Sequence, residues 1–301
     1  MADGSAARRR GMFLVFVATF LWSLAGLFAR LVPHLDIGTV LFGRAAFGGG
    51  CGCGLLLALH DWRNAKLDLR TMIAPMAPLV ILLSSTAISA YVAAVMMTSI
   101  ADVLVIYATL PFFAAGMAYV ISGERSSRRT MIAAGVAMVG IVIMVIGGLG
   151  HGRILGQTIA FLMTGAFALL IVLQRRDPGL PVAPINAVAA LVAAAFGYAI
   201  AKPVAVTGFD VGVLFLFGVT TITIAFTLFM EGAKEVPPAE ASLIAMLDVV
   251  LGPLWVLIAF GEKPDAATIV GGAFVLAAAV WRLAPELRGE RQSIATPGPL
   301  L

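Results

Sequence analysis

Ten apolar runs, each near twenty residues long, follow one another along the chain at roughly 11–32, 37–60, 72–96, 101–121, 130–149, 154–174, 182–201, 210–231, 237–260 and 266–284. The hydrocarbon core of a bilayer is about 30 Å thick and takes about twenty residues of helix to cross. Lipid offers the backbone no hydrogen-bond partner, so a spanning run must be a helix or part of a closed barrel. Barrel strands alternate apolar and polar residues, whereas these runs are continuously apolar. The expected fold is therefore an all-α integral membrane protein with ten transmembrane helices. Composition agrees. Hydrophobic residues make up 61% of the 301 and charged residues 12%, against about 45–50% and about 25% in a soluble domain. A water-facing surface cannot absorb that excess. Disorder, a disulfide scaffold, a nucleic-acid-binding module and an ordinary cytosolic enzyme are excluded.

Arg8-Arg9-Arg10 before the first run resembles the start of a secretory signal, but an apolar stretch of about 20 residues is too long for one and reads as an uncleaved first helix. Cys51 and Cys53 lie in an apolar run at a spacing that turns them to different helix faces, so they read as small packing residues. The end of the chain, residues 285–301, reads as a disordered tail.

The positions of the cations test the helix count. With residues 1–10 in the cytoplasm, the inner segments hold fifteen Lys and Arg, among them Arg63, Lys66, Arg70, Arg125, Arg128, Arg129, Arg175, Arg176, Lys234 and Arg282. The outer loops hold three: Arg153, Lys202 and Lys263. This is the positive-inside bias, and it predicts cytoplasmic N- and C-termini in a cell inner (plasma) membrane.

Shifting the chain by 138 residues lays Ala101-Asp102 on Ala239-Glu240, and Gly123-Glu124-Arg125 on Gly261-Glu262-Lys263. Each Gly-Glu-cation triplet ends the fourth helix of a set of five, and each is followed by a glycine-bearing helix (Gly135 and Gly140; Gly271 and Gly272). The chain thus divides into a first five-helix repeat at 11–149 and a second at 154–284. Five is odd, so the second repeat enters the membrane inverted. Inverted repeats are a transporter signature, with the substrate site at their interface near the midplane.

The 5+5 layout, the two triplets and the Tyr107-Ala108-Thr109-Leu110-Pro111 stretch resemble the EamA-type repeats of the drug/metabolite transporter superfamily. Within it the chain is most similar to bacterial aromatic amino acid exporters of the YddG type. The resemblance implies export of small metabolites by alternating access without ATP hydrolysis. The second repeat departs from the first: Asp248 stands near the place of Leu110-Pro111, and its proline comes later, at Pro253.

No phosphate-binding loop and no His-Glu-x-x-His occurs, and His34, His60 and His151 are scattered over helix ends and loops. Neither a cofactor, a metal nor an enzymatic activity is expected. Ionisable groups inside a span cost about 2.5–3.5 kcal/mol each on insertion scales, so Arg44 and Asp248 are singled out. Two readings stand open. In one, Arg44 anchors a substrate carboxylate with its planar fork, and Asp248 holds a substrate ammonium or carries protons as coupling ion. In the other, they pair with each other or with backbone carbonyls. Pro111 and Pro253 interrupt matching helices and are candidate hinges. Helices 3 and 8 carry a matched polar pair, Ser85 with Ser89 and Thr223 with Thr227, set to face a central cavity or to bond neighbouring helices. Trp22, Tyr107 and Trp255 lie deep enough to stack on a flat ligand or to pack. The glycine run Gly48-Gly49-Gly50 with Gly52 and Gly54 reads as close helix packing. The site expected is an apolar slot lined by Trp22 and Tyr107, with Ser85, Ser89, Thr223 and Thr227 on the polar end and Asp248 or Arg44 nearby. It suits aromatic and other large apolar amino acids. A different metabolite or drug on the same fold, or a non-transport structural role, is the alternative. Membrane lipids are the other partner, and nucleic acid is not.

Overall fold

The computed structural model describes residues 2–59, 76–123, 128–149, 153–176, 182–233, 235–236, 241 and 244–287. His60, Trp62, Arg63, Lys66, Arg70, Glu124, Arg125, His151, Lys234, Ala239, Glu240 and the tail beyond Leu287 lie outside these residues. Among those described, the chain is helical and has no strand.

Among the described residues ten helices are counted, six of them long and apolar enough to cross a membrane, with shorter apolar helices among the others. The first are α1 (Ala2–Ser23 continued by Ala25–Leu31), α2 (Ile37–Leu59), α3 (Ala77–Met97) and α4 (Ile100–Tyr107 then Leu110–Ser122). Then come α5 (Arg128–Leu149), α6 (Ile154–Arg176) and α7 (Val182–Ile200). The last are α8 (Gly208–Gly218, a π-helical turn Val219–Ile224, and Ala225–Ala233), α9 (helical at 241 and 244–245, a turn at 246–247, then Asp248–Phe260) and α10 (Ala266–Leu287). Exposed apolar side chains such as Phe13, Leu82, Met131, Ile146, Leu162, Phe209 and Ile258 face outward all round, as a lipid-solvated surface requires.

An even number of helices puts the start of α1 and the end of α10 at one face, here the near face. At the opposite, distal face the starting helices find acceptors for their free amides, which lipid cannot supply. Asp36 accepts from the Gly38 amide at 2.9 Å at the start of α2. The Ser99 side chain accepts from the Asp102 amide in α4. Thr207 and Asp210 form a reciprocal capping box on α8, and Asp265 accepts from the Thr268 amide at 2.7 Å on α10. Each such cap contributes about 0.5–2 kcal/mol.

The helix packing has the symmetry of two inverted five-helix repeats. Three pairs join a helix to its own counterpart: α2 with α7, α5 with α10, and α4 with α9. The remaining main pairs come as exchanged couples. The contact of α3 with α6 is matched by α8 with α1, that of α3 with α7 by α8 with α2, and that of α4 with α6 by α9 with α1. Glycine sets the closest of these approaches. A Cβ built on Gly140 would lie 2.4 Å from the Gly271 carbonyl oxygen, and one on Gly218 would lie 2.2 Å from that of Arg44. In the glycine run, Gly48 presses on Ile222 and Gly49 on Leu191 and Ala190, whereas Gly50 and Gly54 meet nothing within 4 Å.

Two runs expected to be continuous helices are broken in matching places. In α4 the Thr109 amide donates to the Ile106 carbonyl at 3.0 Å, and the Phe112 and Phe113 amides both donate to Thr109. A shift of 138 residues reproduces all three bonds. Leu247 donates to Ile244 at 3.0 Å, and Val250 and Leu251 both donate to Leu247. The halves that follow, Leu110–Ser122 and Asp248–Phe260, have 13 residues each. Both end on a left-handed glycine, Gly123 and Gly261, each with φ of 69°. The causes differ. Pro111 has no amide to give Tyr107 and its ring crowds that carbonyl, so α4 must break just there. In α9 no proline stands at the matching site, and the first residue of the second half is Asp248, whose carboxylate suits a helix N-terminus. Pro253 lies inside that half, beyond the break.

Candidate substrate site

The α2–α8 crossing positions Arg44. Gly218 lets the α8 backbone come up to Arg44, and the π-helical turn follows directly, so Thr221 faces the guanidinium. Arg44 Nε and Nη2 donate to the Thr221 hydroxyl at 3.4 and 3.3 Å, long contacts that bind weakly. The Thr221 hydroxyl in turn donates to the Phe217 carbonyl at 2.6 Å. The guanidinium carbon sits 4.6 Å from the Phe217 ring centre and 5.2 Å from that of Tyr91. Arg44 is 7% exposed, and its Nη1 is buried without a hydrogen-bond partner. Cation–π contacts offset part of the desolvation of such a group, but they leave Nη1 with no acceptor.

Asp248 opens the second half of α9. Its Oδ1 is likewise buried without a partner. Tyr91 and Tyr107 both lie within electrostatic reach of its carboxylate. Arg44 and Asp248 form no ion pair, so of the alternatives read from the sequence their mutual pairing is not realised. Tyr91 neighbours both.

Trp22 joins this group through Thr221. Its indole N–H donates to the Thr221 carbonyl at 2.8 Å, and its ring packs on Phe229 at 5.1 Å. One residue on, Ser23 accepts from the Trp255 indole at 2.9 Å, just before α1 breaks at Leu24. Tyr107 meets Phe167 edge-on at 6.0 Å. Trp22, Arg44, Tyr107 and Asp248 thus converge around Tyr91 and Thr221. The paired hydroxyls bond to backbone: Ser85 to Leu82, Ser89 to Ser85 and Thr227 to Thr223, all within their own helices, and Thr223 across to Gly48 of α2 at 2.8 Å. Pro111 sits at the start of the second half of α4, next to Tyr107 and the break.

Sequence reasoning passed over Tyr91 and Thr221 as site members. The polar run Thr220, Thr221, Thr223, Thr227 was legible, but its face was not. The π-helical turn Val219–Ile224 adds a residue to the turn, so the face that Thr221 presents cannot be read by counting in fours from Thr227. Tyr91, six residues past Ser85, required knowledge of where α3 crosses α2.

Ten helices in two inverted repeats, broken at matching points in α4 and α9, with a buried carboxylate oxygen left unpartnered at the α9 break and a buried guanidinium nitrogen left unpartnered in α2, define a membrane transporter. The family model of the EamA-like transporter family matches residues 9–146 and 154–283, and the chain belongs to that family. It is a multi-pass membrane transporter of the drug/metabolite type, handling a small molecule within a lipid bilayer. No curated protein matches it in a sequence comparison. A solved crystal structure shares its fold with a TM-score of 0.63 at 19% identity, covering 94% of this chain and 99% of the other.

Proposed function

We propose that the protein is a secondary exporter of amino acids with aromatic or other large apolar side chains, working by alternating access. It would sit in a cell inner membrane with both termini in the cytoplasm. The observation that carries this reading is the pair of orphaned groups, Arg44 Nη1 and Asp248 Oδ1, both buried and set about Tyr91 without bonding each other. A buried charge left unpaired costs several kcal/mol. An amino acid zwitterion would relieve both at once, its carboxylate on Arg44 and its ammonium on Asp248. Tyr91, Tyr107 and Trp22 would flank its side chain. The resemblance to aromatic amino acid exporters and the inner excess of Lys and Arg point the same way. Asp248 is also the group through which protons would couple to transport when no substrate ammonium holds it.

An apolar slot discriminates by only about 1–3 kcal/mol per methylene, so a range of large apolar amino acids is expected. The test is competition in proteoliposomes with phenylalanine, tryptophan, methionine and serine. Phenylalanine and tryptophan should compete best, methionine less, and serine least. Serine competing as well as phenylalanine would overturn the slot and favour another metabolite on the same fold. Absence of flux for any small molecule would favour a non-transport role.

A further inference from the structure

The helix ends at the distal face bring together a set of charges that the substrate site does not use. Arg30, near the end of α1, is bidentate to Glu262 just after α9, with Nε–Oε2 at 2.7 Å and Nη2–Oε1 at 3.1 Å. The same guanidinium donates to the Val95 and Thr98 carbonyls at the end of α3. Arg153, just before α6, lies 3.4 Å from Asp102 of α4 and also pairs with Asp265, the cap of α10. Asp102 is fully buried. It accepts from Thr98 Oγ1 at 2.9 Å, Gln157 Nε2 at 3.2 Å and Thr268 Oγ1 of α10 at 2.6 Å.

Every one of these arginines ties helices of the first repeat to α9 or α10 of the second. Between the two broken helices, Ser99, Ala101, Pro253 and Val256 line a narrow cleft, and Glu262 is at once a wall of that cleft and the partner of Arg30. As permanent fasteners such pairs are poor, since well-packed apolar contacts hold as well without a desolvation cost. As reversible fasteners they are good: Arg30–Glu262 and Arg153–Asp265 are partly exposed, so these charges can be solvated when they part and find their partners again, while Asp102 stays buried on its bonds from Thr98, Gln157 and Thr268. We propose that Arg30–Glu262 and Arg153–Asp102–Asp265 are the two latches of a gate at the distal face, closed here, which must separate for the path between α4 and α9 to open on that side. The gate rests on the transporter reading but not on the identity of the substrate.

The test reads accessibility and needs no substrate. In a chain with Cys51→Ser and Cys53→Ser, Ala101→Cys places a thiol in the cleft, and Met144→Cys, in the α5–α10 contact, is the control. A membrane-impermeant thiol reagent is applied from the distal side of reconstituted vesicles. Glu262→Gln together with Asp265→Asn should label Ala101→Cys about tenfold faster or more, the size of shift typical of such couplings, and leave Met144→Cys slow. Arg30→Glu should also speed labelling, and adding Glu262→Arg to it should slow labelling again. Unchanged labelling at Ala101→Cys in the double variant would overturn the gate. So would equal acceleration at Met144→Cys, because the pairs would then be general fasteners of the bundle.

Discussion

Arg44 and Asp248 both act on one tyrosine, Tyr91, and form no ion pair with each other. The guanidinium stacks 5.2 Å above the ring and the carboxylate acts on the same phenol electrostatically. Each keeps one buried polar atom without a partner. Two buried groups of opposite charge, each left with an unpartnered atom and sharing Tyr91 as a neighbour, suit a ligand that carries both charges.

Asp248→Asn tests the carboxylate. The amide keeps the shape and removes an uncompensated charge, so thermal stability in detergent should hold or rise. Transport of phenylalanine into vesicles should fall at least about tenfold, as for a lost charge-assisted contact worth roughly 1.5–3 kcal/mol. Full transport with an unchanged pH profile would leave Asp248 a structural residue.

Arg44→Lys keeps the charge but loses the plane. A lysine ammonium cannot stack flat between Phe217 and Tyr91 or present a fork to a carboxylate. The KM for phenylalanine should rise about tenfold or more, with kcat less affected, if Arg44 grips the substrate carboxylate. Thr221→Val removes the hydroxyl that steadies the guanidinium and should raise KM more modestly. Equal loss of kcat and no change in KM in both variants would assign Arg44 to the helix crossing alone.

The helices, their number and the repeat were legible because lipid imposes continuous apolar runs and because the glycine and charge motifs recur at one offset. The breaks were half legible. Pro111 marks the one in α4 through chemistry visible in sequence, but the α9 break precedes Pro253 by several residues and is recognisable only from the bonds of Leu247, Val250 and Leu251. The break of α1 at Leu24 carries no sequence signal. Arg44, Asp248, Trp22 and Tyr107 announced themselves by being costly or large at depth. Ser85, Ser89 and Thr227 had the same polar signal, yet their hydroxyls bond their own helices, a choice that spacing cannot reveal.

The cap of α10 gives a pH dependence of stability. Burial alone would raise the Asp265 pKa, but the Arg153 guanidinium and the Thr268 amide outweigh it and hold the group at about 2. A carboxyl depressed when folded contributes stability that is present above its unfolded value near 3.8 and is lost as pH falls through about 2. The melting temperature of the detergent-solubilised protein should therefore drop between about pH 4 and pH 2, and Asp265→Asn should be less stable at neutral pH and flatter across that window. A variant with the parent's slope would show that the acid sensitivity comes from other carboxyls.

The close approach of α5 and α10 sets a last expectation. A methyl on Gly140 would meet the Gly271 carbonyl oxygen at 2.4 Å and Phe274 Cβ at 2.8 Å, and no side-chain rotation relieves a contact with backbone. Gly135, on the same helix, has open space within 4 Å of its would-be Cβ. Alanine favours helix over glycine by about 1 kcal/mol, so Gly135→Ala should be neutral or stabilising. Gly140→Ala must push the two helices apart and should destabilise by about 1–3 kcal/mol, the usual cost of overpacking. Melting temperatures of the two variants, read side by side in one detergent, check this. If they agree, α5 and α10 do not meet through Gly140, and the symmetric pairing of the two fifth helices fails with that contact.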